Sequence, residues 1–239
     1  MISVCCRAVV GRVSNQTRGG GCGRLAEPVM TIAQPAHNRT NDAAVDPHGR
    51  LWVGTMDNDE QAGPGTIRCL DRGVLRATGA AGAVVTNGPA CCAVNHVIYH
   101  VDSARRRIWR SPLRADASLA ESTLFLQHDE EDGYPDGVVV DSEGCLWVAL
   151  WDGWGVRRYS PQGDLIEHIA MPCARVTRIA FGGPDLRTAY VAPASTGLDA
   201  KALGEQPLAR AVLAFDAGTA GVVAPPCRMG SIRAVPGHQ

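Results

Sequence analysis

An all-β fold of the propeller type is what this sequence predicts, and three observations predict it. Four stretches read as copies of one unit. They begin at Asn41 (NDAAVDPHGRLWVGTM), Asn87 (NGPACCAVNHVIYHVDS), Asp136 (DGVVVDSEGCLWVALW) and Thr177 (TRIAFGGPDLRTAYVAPA), at intervals of 46, 49 and 41 residues, the period of propeller blades. Within each copy an apolar strand runs into a turn rich in Asp, Gly or Pro, and a second apolar strand such as Leu51-Trp52-Val53 or Leu146-Trp147-Val148 returns. The composition agrees: 239 residues, 45% hydrophobic, with 27 Gly and 15 Pro, suit one β-rich domain with many turns.

Taken in order, residues 1–24 do not fit the repeat. The run SNQTRGGGCG over 14–23 has no alternation and no turn-strand rhythm, so 1–24 reads as an irregular or disordered leader and 25–239 as a single propeller domain. Residues 25–32 form an outer strand that leads into the first copy. Residues 65–70 (GTIRCL), 108–113 (IWRSPL) and 156–159 supply the third strands of successive blades, residues 166–170 a fourth, and residues 209–216 (ARAVLAFD) the third strand of the last copy. The Gly- and Pro-rich tail over 217–239 either closes the ring or frays. At roughly 45 residues per blade the length allows about five blades.

Charge and composition exclude several function classes. The formal net charge is −1, with 23 basic residues against 24 acidic ones, so no strong field favours nucleic acid or an anionic membrane. The basic runs Arg105-Arg106-Arg107 and Arg157-Arg158 are short and are expected to solvate blade edges. No apolar run approaches the roughly 20 residues that span a bilayer, and the N-terminal apolar pieces are broken by Arg7, so a cytoplasmic location is expected. The nine cysteines are odd in number, contain no C-x-x-C pair and sit partly inside apolar runs, as at Cys91, Cys92 and Cys145. They are read as small hydrophobes rather than as a disulfide scaffold or a zinc-thiolate site.

Repeats arranged around an axis bring their equivalent residues together. Asn41, Asn87 and Asp136 are therefore expected to converge on one mouth of a central channel as a set of oxygen donors and hydrogen-bonding groups. N-D, N-G and D-G pairs are also common hairpin-turn signals, and Asp46-Pro47-His48-Gly49 and Asp141-Ser142-Glu143-Gly144 are read as turns. Position sets Asn87 and Asp136 apart, because they precede the inner strand of a copy whereas the turn belongs after it. Trp52, Trp147 and Trp151 are read as packing between blades.

The chain resembles the SMP-30/gluconolactonase/luciferin-regenerating-enzyme-like family of six-bladed propellers. The resemblance runs from Asn38 to about Asp216. It rests on Asn38-Arg39-Thr40-Asn41-Asp42 with Val45-Asp46-Pro47 and the segment from Gly49 to Met56, on Asn87-Gly88, on Tyr134-Pro135-Asp136-Gly137 with Asp141-Ser142-Glu143-Gly144, and on Phe181-Gly182-Gly183-Pro184-Asp185-Leu186. What it implies is one divalent metal ion on the propeller axis (calcium, zinc, manganese or magnesium). Asn87 and Asp136 match two of its ligands, and a Glu of the family's first blade is the third. Arg39 and Asn41 match the substrate-contacting residues, and the acidic residue after Gly-Thr-Met falls at Asp59 or the neighbouring Glu60, with the spacing favouring Asp59.

That set suits hydrolysis of a sugar lactone to the open aldonic acid. A hard cation polarises the carbonyl and stabilises the oxyanion. Asp136, the catalytic candidate, either steers a proton from the attacking water or only orients that water. No segment matches the family's first blade or its metal-binding Glu, so the resemblance implies an incomplete six-bladed propeller whose first blade is missing or degenerate. The alternative is a catalytically inactive propeller that binds a sugar acid or a protein partner. The expected partner is a small-molecule sugar lactone, with no nucleic acid and no membrane, and the chain is expected to be a monomer or weak homodimer.

Overall fold

The computed structural model describes residues 2–5, 9–13, 25–61, 65–80 and 82–228. These residues are almost wholly β, arranged as five antiparallel sheets that follow one another along the chain. The first sheet holds β1 (Ile2–Cys5), β2 (Val9–Val13) and β3 (Leu25–Thr31). The second holds β4 (Asn38–Val45), β5 (Leu51–Asp57), β6 (Ile67–Asp71) and β7 (Val74–Ala77). The third runs through β8 (Thr86–Cys92), β9 (Val97–Asp102), β10 (Arg107–Pro112) and β11 (Thr123–Gln127). The fourth comprises β12 (Tyr134–Val140), β13 (Leu146–Trp151), β14 (Gly155–Tyr159) and β15 (Leu165–Ala170). The fifth comprises β16 (Val176–Gly182), β17 (Thr188–Pro193) and β18 (Leu213–Asp216).

The four sheets from β4 onward have a propeller arrangement. Their first strands are the inner ones: β4 contacts β8, β8 contacts β12, and β12 contacts β16, while β1 of the N-terminal sheet contacts β4. Two of these strands, β1 and β2, lie within the stretch expected to be an irregular leader, and the run 14–23 lies outside the described residues, as does the tail over 229–239. A six-residue helix, α1 (Ala200–Glu205), interrupts the last blade between β17 and β18, so its third strand is shorter than the 209–216 expected. No helix among the described residues is long and apolar enough to cross a membrane.

Apolar layers between neighbouring sheets hold the blades together. Val101, Ile108, Val138, Leu146 and Leu150 pack the third sheet on the fourth. Ala149, Val156, Val176, Ile179 and Val191 pack the fourth on the fifth around the edge-on pair Trp147 and Phe181, whose ring centroids lie 5.7 Å apart. Cys69, Cys92, Cys145 and Cys173 are buried free thiols within this core, as their apolar settings suggest.

The second and fourth sheets share a buried polar device at the turn after the inner strand. Asp46 caps its turn by accepting from the backbone N–H of His48 and Arg50, both at 2.9 Å, and Asp141 does the same for Glu143 and Cys145. The other carboxylate oxygen accepts from the indole six residues on, Trp52 to Asp46 and Trp147 to Asp141, at 2.9 Å in both. A guanidinium completes each group: Arg50 Nε lies 2.5 Å from Asp46 and Arg158 Nε 2.8 Å from Asp141. Arg158 therefore does not solvate a blade edge as its run suggested. It is a largely buried partner stacked over Trp147, 5.7 Å from the ring centroid, because the carboxylate beneath it needs a counter-charge.

Candidate functional site at the channel mouth

Every inner strand breaks register with its neighbour at its polar residues. The shifts fall between Thr40 and Ala43 in β4, Asn87 and Ala90 in β8, Pro135 and Val138 in β12, and Val176 and Arg178 in β16. A bulge leaves residues unpaired and re-aims them. Here it frees Asn41 and Asp42, Gly88 and Pro89, Asp136 and Gly137, and Thr177 from the ladders. Asn87 and Asp136 therefore lie inside strands, at irregularities, and not in hairpin turns.

Of the freed residues, Asn41, Asp136 and Thr177 line a cavity of about 730 Å³. Arg39, Asn41, Asn87 and Asp136 all border it, so four of the five residues singled out from the sequence are brought together. Asp59 is not among its lining residues. It is exposed in the turn after β5, where its backbone N–H donates to Asp57 at 3.3 Å. Glu60, in a left-handed conformation with φ of 56°, borders the cavity instead. Tyr134, Trp151, Asp152, Thr177 and Thr196 complete much of the wall. Trp151, expected to pack between blades, thus stands on the cavity at the end of β13, with the Arg175 guanidinium 4.9 Å from its ring centroid.

A chain of hydrogen bonds crosses the site. Arg39 Nη1 donates to Asn41 Oδ1 at 2.7 Å, and Asn41 Nδ2 donates to Thr86 O and to Asn87 Oδ1, both at 2.8 Å. Asn87 Nδ2 donates to Ser103 Oγ at 2.9 Å, and Ser103 Oγ donates to Pro135 O at 2.6 Å. Both amide orientations follow from this chain. Among the described residues Asn41 alone donates to Asn87 Oδ1, which leaves that oxygen a second lone pair.

Beneath the cavity Asp42 pairs with Arg178 across the channel and accepts from the N–H of Ala43 at 2.8 Å and of Gly88 at 3.1 Å. Burial raises the Asp42 carboxyl above the ordinary carboxylate range, opposed by Arg178 and by those backbone donors. Asp136 is displaced in the same direction. Desolvation pushes it up to about 8, with the charges of Asp42 and Glu60 adding to the effect and Arg178 and the Gly137 N–H opposing it.

A carboxyl driven towards its neutral form by burial and by like charges is one that a cation would return to the ionised form. Together with the second lone pair of Asn87 Oδ1, it forms an oxygen donor set of the kind hard divalent cations take. Among the described residues no three His, Cys, Asp or Glu side chains converge as a metal cluster. The described chain would therefore hold such an ion with Asp136 and Asn87, and water would fill further positions.

Comparison with known proteins points the same way. Residues 4–195 match the family described as the SMP-30/gluconolactonase/LRE-like region. A 6-deoxy-6-sulfogluconolactonase of Pseudomonas putida is 34% identical over 190 residues, which are 79% of this chain and 65% of that protein. A pentonolactonase of Haloferax volcanii is 32% identical over 197 residues, 82% of this chain and 64% of its own. The chain thus spans less than two thirds of the length of these curated relatives. Among solved structures, a luciferin-regenerating enzyme superposes with a TM-score of 0.81 at 26% identity, covering 92% of this chain and 75% of that one. A calcium-binding regucalcin of Agrobacterium tumefaciens superposes with a TM-score of 0.77 at 29% identity, covering 85% and 70%.

Proposed function

The chain belongs to the SMP-30/gluconolactonase/LRE-like family, and from that premise we propose that it hydrolyses a sugar lactone to the open aldonic acid with a divalent cation held at Asp136 and Asn87. The observation that carries the reading is the convergence of Arg39, Asn41, Asn87 and Asp136 from three separate blades on one cavity. Relatives named as lactonases of six-carbon and five-carbon sugar acids support the substrate class.

The roles follow from the side chains. Arg39 and Asn41 hold each other in place and present donors and an amide oxygen that match vicinal hydroxyls. Glu60, Asp152, Thr177 and Thr196 add acceptors and hydroxyls around the same space, which favours a polyhydroxylated ring over an apolar ester. Trp151 offers an apolar face to the carbon skeleton. Glu60 takes the contact that the spacing assigned to Asp59.

When bound, a hard divalent cation supplies Lewis-acid polarisation of the carbonyl and positive charge for the developing oxyanion. Asp136 orients the attacking water and draws its proton. The water oxygen bonds to the carbonyl carbon, the bond from that carbon to the ring oxygen breaks, and the ring oxygen leaves as a hydroxyl after taking up a proton. Partial burial at the cavity wall favours proton uptake by this carboxylate. The cytoplasm is the proposed site of action.

The test is a panel of lactones assayed against their spontaneous hydrolysis: gluconolactone, a pentonolactone and an unsubstituted alkyl lactone of equal ring size. Faster opening of the hydroxylated rings is expected. No acceleration by folded protein would discard the hydrolase reading and leave a propeller that binds a sugar acid or a protein.

A further inference from the structure

Resting on the reading that a divalent cation binds at Asp136, we infer that Arg178 is a built-in counter-cation that competes with that metal and sets its affinity. Arg178 stands on β16, and its guanidinium reaches across the channel to Asp42 on β4. Asp42 also accepts from Gly88 N–H in β8. The stem of Arg178 lies so close to β12 that a Cβ on Gly137 would come within 2.7 Å of its Cδ. One ion pair therefore touches all four inner strands at the level of the site.

The other side of Arg178 offers no competing anion. It borders a second cavity of about 460 Å³, lined by Ala43, Val45, Ala90, Val138 and other residues without charge and covered by the segment around Val222. The guanidinium charge is thus directed at the carboxylates of Asp42 and, one residue from Gly137, Asp136. A guanidinium stays charged at any pH the protein meets. Part of the negative charge that a divalent ion would use is already compensated, and compensated permanently.

The two partners of the ion pair should then act with opposite sign. Arg178→Met removes the competing charge and leaves two carboxylates for the metal, so divalent affinity should tighten by about tenfold or more. Asp42→Asn leaves Arg178 without its partner and free to pair with Asp136, so affinity should weaken by about tenfold or more. An Arg178 that served only to hold the strands together would weaken binding in both variants.

Calorimetric titration of calcium and of manganese into the full chain reads this directly, with circular dichroism as the check on folding and Arg178→Lys as the variant that keeps the charge. Tighter binding in Arg178→Met, weaker binding in Asp42→Asn and near-native binding in Arg178→Lys is the expected result. If Arg178→Met fails to fold, the neutral, hydrogen-bonding Arg178→Gln takes its place: tighter binding in folded Arg178→Gln supports the inference, and unchanged or weaker binding there overturns it. Unchanged or weaker binding in folded Arg178→Met overturns it outright. Metal binding by Arg178→Met but not by the native chain would support the competition while removing metal dependence from the native activity. Failure of both to bind would overturn both readings.

Discussion

The side-chain amide of Asn41 donates to Oδ1 of Asn87 at 2.8 Å, joining the equivalent positions of two successive blades. The bond turns a repeat in the sequence into a contact in space. Through Asn87 it continues to Ser103 and the backbone of Pro135, so the residue beside Asp136 is tied to a side chain on a blade two sheets away. Asn41→Ala should cut this relay and lower lactone kcat/KM by at least about tenfold, worth roughly 1.4 kcal/mol in the transition state. The same variant should change the unfolding free energy by only about 1–2 kcal/mol, and steady-state kinetics beside urea denaturation separates the two effects.

Gly137 is closely packed beside the ion pair. A Cβ there would lie 2.6 Å from Thr177 O and 2.7 Å from Arg178 Cδ, so Gly137→Ala must displace either the β16 backbone or the ion-pair arginine. Activity should fall more than tenfold, by the order-of-magnitude sensitivity of catalysis to small misplacements. Retention of native kinetics by Gly137→Ala would show that neither Arg178 nor the bulge needs to stay where it is.

Asp141 tests the fold apart from the site. Its carboxylate is wholly buried and accepts from two backbone N–H groups, from Trp147 and from Arg158. Asp141→Ala strands the indole N–H and leaves the Arg158 guanidinium with only the exposed Glu143 carboxylate, and should cost roughly 3–5 kcal/mol of stability. A shift of the urea midpoint without a change in m-value is the expected signature.

Two buried histidines should each contribute to the pH dependence of stability. Desolvation lowers the folded pKa of His100 to about 4 and of His128 to about 4, the latter helped by Arg157 and opposed by the carboxylates of Asp132 and Asp129. Both are neutral in the fold and take up protons more readily when unfolded. Their stability contribution is fully present above the ordinary histidine pKa of about 6.5 and is lost as pH falls from there towards 4. The raised carboxyls of Asp136 and Asp42 act with the opposite sign in the same window, so the histidine share is read as a difference: the denaturation midpoint of the native chain minus that of His100→Gln should be level above about pH 6.5 and decline towards pH 4. A difference independent of pH across that window would contradict the burial of His100 as a neutral group.

Much of this was legible in the sequence, for a physical reason. A repeat places equivalent residues at equivalent points around an axis, so Asn41, Asn87 and Asp136 could be grouped without knowing any distance. The turns at Asp46 and Asp141 carried their own chemistry in the spacing from Asp to Gly to Trp. Other features left no such trace. Spacing allowed either Asp59 or Glu60, and that Glu60 is the one on the cavity wall goes with a left-handed backbone at a non-glycine residue, which spacing along the chain does not reveal. The Asp42–Arg178 pair joins residues 136 positions apart and exists only because β4 and β16 face each other across the channel. Trp151 reads like the other strand tryptophans, and its place at the end of β13 is what exposes it to the cavity. The strands β1 and β2 were hidden by their shortness and by Arg7 between them.

Opening of a sugar lactone by Asp136 with a divalent cation is the proposed activity of the site. Its most direct measurement is gluconolactone hydrolysis by the chelated chain and then by the chain given calcium, manganese, magnesium or zinc, with Asp136→Asn run in parallel. The expected result is turnover that chelation removes, that a divalent ion restores, and that Asp136→Asn lacks under every condition. Turnover that survives both chelation and Asp136→Asn would contradict it.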